Sequence, residues 1–281
     1  MGKRIFSSTL LLVIAAAAVR LFEAAGCIGL IVIAGMLTHF EFYKLLQKIG
    51  QAPQIKGGLI CGFLLMLAAG LQGRRVQWWP TQVELLFLVI TAVVLRALLS
   101  HSLDSARESI VSTIAGIIYV PFMCSFPIGL SGAMAASGMR PTAYIFTLFW
   151  MIFVIKCCDV GGMLCGWCCG KHKLALNFSP QKTVEGFAGG VLLSIFTGAG
   201  LVLLYGEMLP PRFGLAKATA LSALLAVLSL IGDLTESAIK RLANEKDSGN
   251  VLPGIGGIFD LTDSLLFALP LGVIFIEHFS L

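Results

Sequence analysis

The chain has 281 residues, of which 57% are hydrophobic and only 12% are charged, and its mean hydropathy is +0.92. A soluble domain carries about 25% charged residues, so this composition excludes a protein solvated on all sides and indicates an integral membrane protein. The net charge of +5 is ordinary for a protein that faces anionic lipid. The basic residues are scattered and lack interleaved aromatic residues, so we expect no binding to nucleic acid.

Apolar runs predict an all-α, polytopic fold with about eight or nine transmembrane helices, since each span needs about 20 apolar residues. The candidate spans are residues 6–22, 25–43, 57–73, 83–98, 110–130, 143–160, 185–206, 215–232 and 264–280. Arg20 and Glu23 interrupt the first pair, which leaves open one span plus a re-entrant or interfacial piece. We expect residues 1–142 to form a scaffold and residues 143–281 to form a catalytic domain.

The placement of Lys and Arg predicts the orientation of these spans. With the N-terminus in the cytoplasm, the inner connections hold about twice as many basic residues as the outer ones. The Arg74–Arg75 pair falls on the outer side and speaks against this orientation, but it is outnumbered. The polar segments 161–184 and 233–263 then lie at the cytoplasmic face of a bacterial-type inner membrane.

Five of the eight cysteines cluster between Cys157 and Cys169. Cys165 and Cys168 have CxxC spacing and His172 follows, so a zinc site is conceivable. A second spaced ligand pair is absent from the sequence. We therefore favour small packing residues that are kept reduced at the cytoplasmic end of a helix.

The most polar stretch, residues 232–264, lies between two apolar runs. At 3.6 residues per turn, Asp233, Ser237 and Lys240 fall on one helix face. Glu236 lies on the adjacent stripe of the helix surface, four residues before Lys240, and can pair with it. This face offers an acid, a hydroxyl and an amine in one line.

Two further acids, Asp260 and Asp263, follow a glycine-rich loop and begin the last span. A carboxylate at an apolar boundary needs a partner, and Mg²⁺ prefers carboxylate oxygens combined with substrate phosphates. We therefore expect Asp233, Asp260 and Asp263 to bind a metal ion.

Basic residues in the same stretch, Lys240, Arg241 and Lys246, would hold phosphate charge beside the metal. This combination fits phosphoryl or nucleotidyl transfer, which needs charge neutralised and reactants aligned. For Glu245 and Asp247, a role in this chemistry and a simple solvated charge on the loop are equally good interpretations.

The first polar segment complements the second. Asp159 ends an apolar run, and Ser179 followed by Pro180 has the pattern of a helix N-cap with proline at the first helical position. A helix N-terminus beside Lys182 would be an anion site. An ordinary capped helix with a solvated lysine is the alternative.

Together the two segments resemble the phosphatidate cytidylyltransferase, or CDP-diacylglycerol synthase, family. The family signature, S-x-x-K-R-x4-K-D-x-G followed by P-G-H-G-G-x2-D-R-x-D, is matched in register and without a gap. The matching residues are Ser237, Lys240, Arg241, Lys246, Asp247, Gly249, Pro253, Gly254, Gly256, Gly257, Asp260 and Asp263. Residues 232–236 resemble its GDLxES, residues 179–186 its SPKKTxEG, and residues 171–173 the KHK that often precedes it.

The resemblance implies a reaction in which CTP and phosphatidic acid give CDP-diacylglycerol and pyrophosphate in the membrane. It assigns metal-binding and catalytic roles to Asp233, Ser237, Lys240, Asp260 and Asp263. The residues expected to bind substrate are Ser179, Lys182, Thr183, Arg241, Lys246 and Asp159. The expected cofactor is Mg²⁺, with a monovalent cation such as K⁺ as a further candidate, and the family is compatible with a homodimer.

The chain departs from the family pattern at three places. Ile255 replaces the His of PGHGG, Leu261 replaces the Arg of DRxD, and Val160 follows Asp159 where Thr is usual. If the His or Arg holds a phosphate or orients an acid, Arg241 or His172 would have to substitute. Two alternatives stay open: a CTP-dependent lipid kinase, and an ion- or proton-coupled transporter, although no repeat supports a transporter.

Overall fold

A computed structural model describes residues 2–72, 82–100, 103–175, 179–251 and 256–281 of the chain. The helices in these ranges are α1 (Gly2–Lys48), α2 (Ile55–Gln72), α3 (Gln82–Ser100), α4 (Leu103–Ile117), α5 (Met123–Ala136), α6 (Pro141–Cys169), α7 (Val184–Tyr205), α8 (Leu215–Leu242) and α9 (Phe259–Phe279). A short hairpin of β1 (Lys173–Ala175) and β2 (Ser179–Thr183) separates α6 from α7.

Seven helices of the described residues are long and apolar enough to cross a membrane, and a shorter apolar helix covers Ile55–Leu71. The seven are Thr9–Lys48, Gln82–Leu99, Ser105–Ala136, Pro141–Cys169, Val184–Met208, Leu215–Leu242 and Phe259–Phe279. Every predicted span consists of helical residues, apart from residue 73, which is outside the described residues, and residue 280, which follows α9. The prediction of a polytopic, helical membrane protein is confirmed, with the hairpin as an addition to an all-α fold.

The first two predicted spans are joined in one helical element, α1, which breaks at a single residue. Glu23 has φ 49° and ψ −127°, whereas the residues on both sides are helical. The break falls in the two-residue gap that separates the spans predicted at 6–22 and 25–43. A charged side chain at this point ends the first apolar run, and the backbone changes direction there.

The fifth predicted span, 110–130, runs through three consecutive helical segments. A π-helical turn at Ile118–Phe122 joins α4 to α5 and contains Pro121. Proline has no backbone N–H to donate, and a π-turn accommodates that loss without ending the helix.

The structure corrects the prediction that Ser179 caps a helix. Ser179–Thr183 is strand β2, paired antiparallel with β1 in the register Lys173 to Thr183 and Ala175 to Ser179. The helix begins at Val184, and its N-cap, four residues after Ser179, is Thr183, whose hydroxyl accepts from the Gly186 N–H at 3.1 Å. The Ser-Pro pattern was wrong because a proline is equally tolerated in a short edge strand.

The chain forms two compact units. The first unit contains Met1–Gly132 and Leu242–Thr262, and the second contains Ala133–Arg241 and Asp263–Leu281.

Small residues hold α6 and α7 together in the second unit. A Cβ atom on Gly161 would lie 2.9 Å from the Leu193 side chain, and one on Gly190 would lie 2.6 Å from the Cys158 carbonyl oxygen. Helices in lipid associate through such close backbone contacts. The buried Cys158 lies in this interface, which supports a packing role for that cysteine.

In the first unit, the C-terminal part of α1 is buried more deeply than the rest of that helix. Tyr43 is fully buried and donates a hydrogen bond to the Thr113 carbonyl of α4 at 2.8 Å. The Thr113 hydroxyl accepts in turn from the Gln54 N–H. These bonds fix the end of α1 on the helices that follow it in sequence.

Candidate active site

Three carboxylates meet in the second unit, on the facing ends of α8 and α9. One ligand oxygen from each of Asp233, Glu236 and Asp263 lies within 4.8 Å of the others. Glu236 is 2% exposed and Asp263 is 7% exposed. The helices approach this closely because Gly232 has no side chain, and a Cβ atom there would overlap the Asp263 backbone.

Two lysines pair with two of these acids. Lys182, on strand β2, forms an ion pair with Asp233, and Lys240, on α8, lies 2.8 Å from Glu236. The pairing of Glu236 with Lys240 expected from their i,i+4 spacing is confirmed. Strand β2 therefore brings Lys182 to the acids, and Lys182 directly precedes Thr183, the N-cap of α7.

A third lysine lies on the neighbouring helix α6. The Lys156 ammonium is 3.2 Å from Asp159 and donates to the Ser264 hydroxyl at 2.8 Å. The Ser264 hydroxyl also lies 3.3 Å from Asp159. Lys156 and Ser264 thus join Asp159 of α6 to the beginning of α9.

The charges of this group, which we call the acid–lysine cluster, do not balance. It contains the acids Asp159, Asp233, Glu236 and Asp263 and the lysines Lys156, Lys182 and Lys240. Each lysine pairs with one acid. Within the described parts of the chain, no ion pair involves Asp263, whose hydrogen-bond donor is the Ser264 N–H at 2.6 Å. A buried carboxylate that forms no ion pair is costly, so a bound cation fits this cluster.

The remaining predicted acid, Asp260, belongs to the first unit. Its carboxylate accepts from the Gly257 N–H at 2.8 Å, from the Ser248 N–H at 3.1 Å and from the Ser248 hydroxyl at 3.1 Å. Ser248 and Gly257 belong to the signature loop, by which we mean the described residues 243–251 and 256–258 between α8 and α9, and both therefore hold Asp260. The sharing of one cation by Asp233 and Asp260 stays a prediction.

Glu41, near the C-terminal end of α1, also belongs to the first unit. The side chain is 3% exposed and lies inside the first unit. Its carboxylate accepts hydrogen bonds from the backbone N–H groups of Phe259, the first residue of α9, and of Ile258 just before it. A helix start leaves such N–H groups unpaired, and a carboxylate satisfies them well.

The other predicted site residues lie at several levels of exposure. Ser237 is half-buried on α8, Ser179 is half-buried on β2, and Thr183 is buried as the cap of α7. Arg241 and Lys246 are exposed. Of the residues that depart from the family pattern, Leu261 is half-buried on α9, and Ile255 lies outside the described residues.

His172 has a structural partner. Its ring and its backbone N–H both contact the Glu185 carboxylate, which also accepts from the Lys171 N–H. Within the described ranges, Asp233, Glu236 and Asp263 are the one group of three or more acids, histidines or cysteines at ligand distances. The cysteine cluster with His172 therefore does not form a zinc site in this part of the chain.

Sequence reasoning missed Glu236 as a cluster member, Lys156, and the buried position of Glu41. The sequence does contain a signal for Glu236 and for Lys156. Glu236 is three residues after Asp233 on one helix, and Lys156 is an ionisable residue within an apolar span, which by itself indicates a functional site. No local pattern reports that Glu41 meets a segment more than 200 residues away.

The helices and the acid–lysine cluster define a polytopic membrane protein suited to binding a cation and phosphate groups. The chain belongs to the cytidylyltransferase family, whose sequence model matches residues 2–279. A phosphatidate cytidylyltransferase of Synechocystis sp. is 30% identical over 274 residues, which cover 91% of this chain and 88% of the relative.

Relatives of the same name in other bacteria match over a shorter length. The Bacillus subtilis protein is 41% identical over 133 residues, which are 47% of this chain and 48% of the relative. The Staphylococcus epidermidis protein is 39% identical over 137 residues, which are 48% of each chain. These matches span about half the length of those relatives.

Proposed function

We propose that this chain is a phosphatidate cytidylyltransferase, which transfers the cytidylyl group of CTP to phosphatidic acid and releases pyrophosphate. The observation that carries the proposal is the acid–lysine cluster, with four carboxylates against three lysines in a membrane protein of the cytidylyltransferase family. An excess carboxylate suits a divalent cation, and the lysines suit phosphate groups.

Both reactants are anions, and this determines what the residues must do. An oxygen of the lipid phosphate forms a bond to the α-phosphorus of CTP as the bond from that phosphorus to the bridging oxygen breaks, and the electron pair leaves with pyrophosphate. The attacking phosphate is already ionised near neutral pH, so no side chain has to remove its proton. The task of the protein is to bring two anions together and to stabilise the added charge.

Asp233, Glu236 and Asp263 would hold Mg²⁺, with Asp260 assigned to the metal by resemblance. The ion would supply charge neutralisation at the phosphates. Lys182 and Lys240 are each held by one acid. A lysine held in this way is positioned for phosphate and can exchange its carboxylate partner for a phosphate oxygen. The strand β2 carries Lys182, so we expect the hairpin to contact the triphosphate.

Lys156 is the residue that we expect to bind the phosphate of the lipid. It lies on an apolar helix and is 37% exposed, and it reaches Ser264 next to the acids. A lysine stem lies well along apolar surface while its ammonium meets a polar headgroup. The outlying Arg241 and Lys246 are exposed and would attract the nucleotide rather than hold it during the reaction.

The test uses the purified full chain in detergent with cytidine-labelled CTP. We expect lipid-soluble label with phosphatidic acid and Mg²⁺, and none when EDTA replaces the metal. A second reaction contains γ-phosphate-labelled CTP and a lipid alcohol. Label transferred to the alcohol, with none from phosphatidic acid, would identify a lipid kinase and refute the proposal, as would absence of any lipid product.

Three finer points belong to the same proposal. We expect Mg²⁺ to support turnover better than Ca²⁺, because the tight octahedral ion matches two or three carboxylates with phosphates. K⁺ dependence is measured in the same assay. Labelling of Lys246→Cys from either side of sealed vesicles tests the cytoplasmic orientation, and light scattering of the detergent complex tests the homodimer.

A further inference from the structure

We infer that Glu41 is a positioning residue: it holds the signature loop and thereby sets the orientation of the Asp260 carboxylate. The catalytic meaning of this inference depends on the proposed function, in which Asp260 serves the metal. The contacts that carry it lie within the first unit.

The Glu41 carboxylate takes three donors from the signature loop and the start of α9. Its Oε1 accepts from the Ile258 N–H at 3.1 Å, and its Oε2 accepts from the Phe259 N–H at 2.8 Å. The Ser248 hydroxyl lies 3.1 Å from the same Oε2. Since Glu41 is 3% exposed, water cannot readily replace these bonds, and their loss would leave buried polar groups unpaired.

Ser248 connects Glu41 to Asp260. Its hydroxyl lies 3.1 Å from Oδ2 of Asp260 as well as from Glu41, and its backbone N–H donates to Asp260. A hydroxyl has one hydrogen to donate, so the two carboxylates share a single donor. The position of Ser248 therefore depends on both acids, and a change at Glu41 is transmitted to Asp260.

The space around these groups is closed. A Cβ atom on Gly257 would overlap both the Ser248 hydroxyl and the Glu41 carboxylate. Gly257 also donates its N–H to Asp260 at 2.8 Å. A residue with a side chain at this position would push Glu41 away from the loop, so the glycine of the family signature is explained by a residue on α1.

Further contacts hold the same face of α1 against this segment. The Thr38 and Thr262 hydroxyls are 2.9 Å apart, and the Phe42 and Phe259 rings pack edge to face with centroids 6.0 Å apart. Thr38 and Phe42 lie one turn apart, with Glu41 between them on that face. Glu41 therefore belongs to an extended contact surface of α1 and does not form an isolated hydrogen bond.

A simpler role for Glu41 would be that of a helix cap, with no influence on Asp260. The two roles differ at particular backbone amides. A cap protects the Ile258 and Phe259 amides, which bind Glu41. Positioning also protects the Ser248 and Gly257 amides, which bind Asp260.

The decisive experiment is residue-resolved hydrogen exchange on the full chain in detergent, comparing wild type with Glu41→Gln. Glutamine has nearly the same shape but keeps one acceptor oxygen. We expect exchange to rise at least about tenfold at all four amides. A rise at Ile258 and Phe259 alone, with Ser248 and Gly257 unchanged, would show a cap only and overturn the inference.

Activity provides a second readout. We expect Glu41→Gln to lower kcat about ten- to hundredfold and to raise the Mg²⁺ concentration for half-maximal rate, as is typical when the support of a metal ligand is removed. The matched control is Glu245→Gln, which removes an exposed ion pair between the same helix and the same loop, Lys48 to Glu245 at 2.6 Å. We expect this control to exchange and turn over like wild type.

If Glu41→Gln does not insert or fold, Ser248→Ala tests the same connection, because it leaves the Glu41 cap intact. We expect faster exchange at Gly257 and a several-fold lower kcat; unchanged exchange at Gly257 would overturn the inference. If wild type makes no CDP-lipid under any condition, the proposed function fails, and the exchange measurements still decide whether Glu41 positions Asp260.

Discussion

The two units hold their carboxylates in different ways. In the second unit, Asp233 and Glu236 are paired with lysines, and Asp263 adds a further negative charge. In the first unit, Glu41 is surrounded by two backbone N–H groups and a serine hydroxyl.

The difference teaches what each arrangement is suited to do. An ammonium can leave its carboxylate when a metal ion or a phosphate offers a better partner, so lysine pairs make a site whose contents can exchange. Backbone donors cannot leave without disturbing the fold. Acids bound to them are therefore fixed, and they fix the backbone in return. The second unit has the properties of a binding site, and the network around Glu41 those of a support.

The largest expected effect is on turnover in the second unit. Asp233→Asn removes a ligand charge and the partner of Lys182 while keeping the shape of the side chain. We expect kcat to fall on the order of a hundred- to a thousandfold in the labelled-CTP assay. Glu207→Gln, an exposed acid in the same unit, is the control and should retain wild-type turnover. Near-normal activity in Asp233→Asn would refute the metal site.

A second prediction concerns stability, and its sign separates the two kinds of carboxylate. Asp263→Asn removes a buried charge that lacks a lysine partner, so in EDTA we expect the variant to be about 1 kcal/mol more stable than wild type. This corresponds to an apparent Tm about 2–4 °C higher.

With Mg²⁺ the order should reverse. Saturating metal stabilises wild type by about 2.7 kcal/mol at a hundred times its Kd, and Asp263→Asn should lose most of this gain. Thermal unfolding by intrinsic fluorescence, with and without Mg²⁺, measures both effects. A variant that is less stable than wild type in EDTA would mean that Asp263 is a structural acid, like Glu41.

The smallest expected effect concerns Lys156. Lys156→Met keeps the length of the side chain but leaves Asp159 without its lysine, and we expect about a tenfold lower kcat/KM for phosphatidic acid with little change in KM for CTP. Varying each substrate separately measures this contrast. Equal losses for both substrates would show that Lys156 balances the charge of the whole cluster rather than binding the lipid.

Much of the site could be predicted because its residues follow helical spacing. The i,i+4 pair of Glu236 and Lys240 needed only the geometry of one helix, and the apolar runs located the spans to within a few residues. The association of Lys182 with phosphate chemistry stays a prediction, and the helix start expected at Ser179 was wrong. A Ser-Pro start is compatible with both a helix and an edge strand, and pairing with β1 decided between them.

The order of apolar and polar segments by itself determined the membrane class and the approximate place of the helical runs, and it indicated most of the residues of the acid–lysine cluster. The reason is that crossing a bilayer requires long apolar helices, and charges within them are tolerated only for function. Only the tertiary structure decided which charges meet. Local signals existed for Glu236 and Lys156, but the contacts of Glu41 with Ser248, Ile258 and Phe259 join segments more than 200 residues apart, and no local pattern records such contacts.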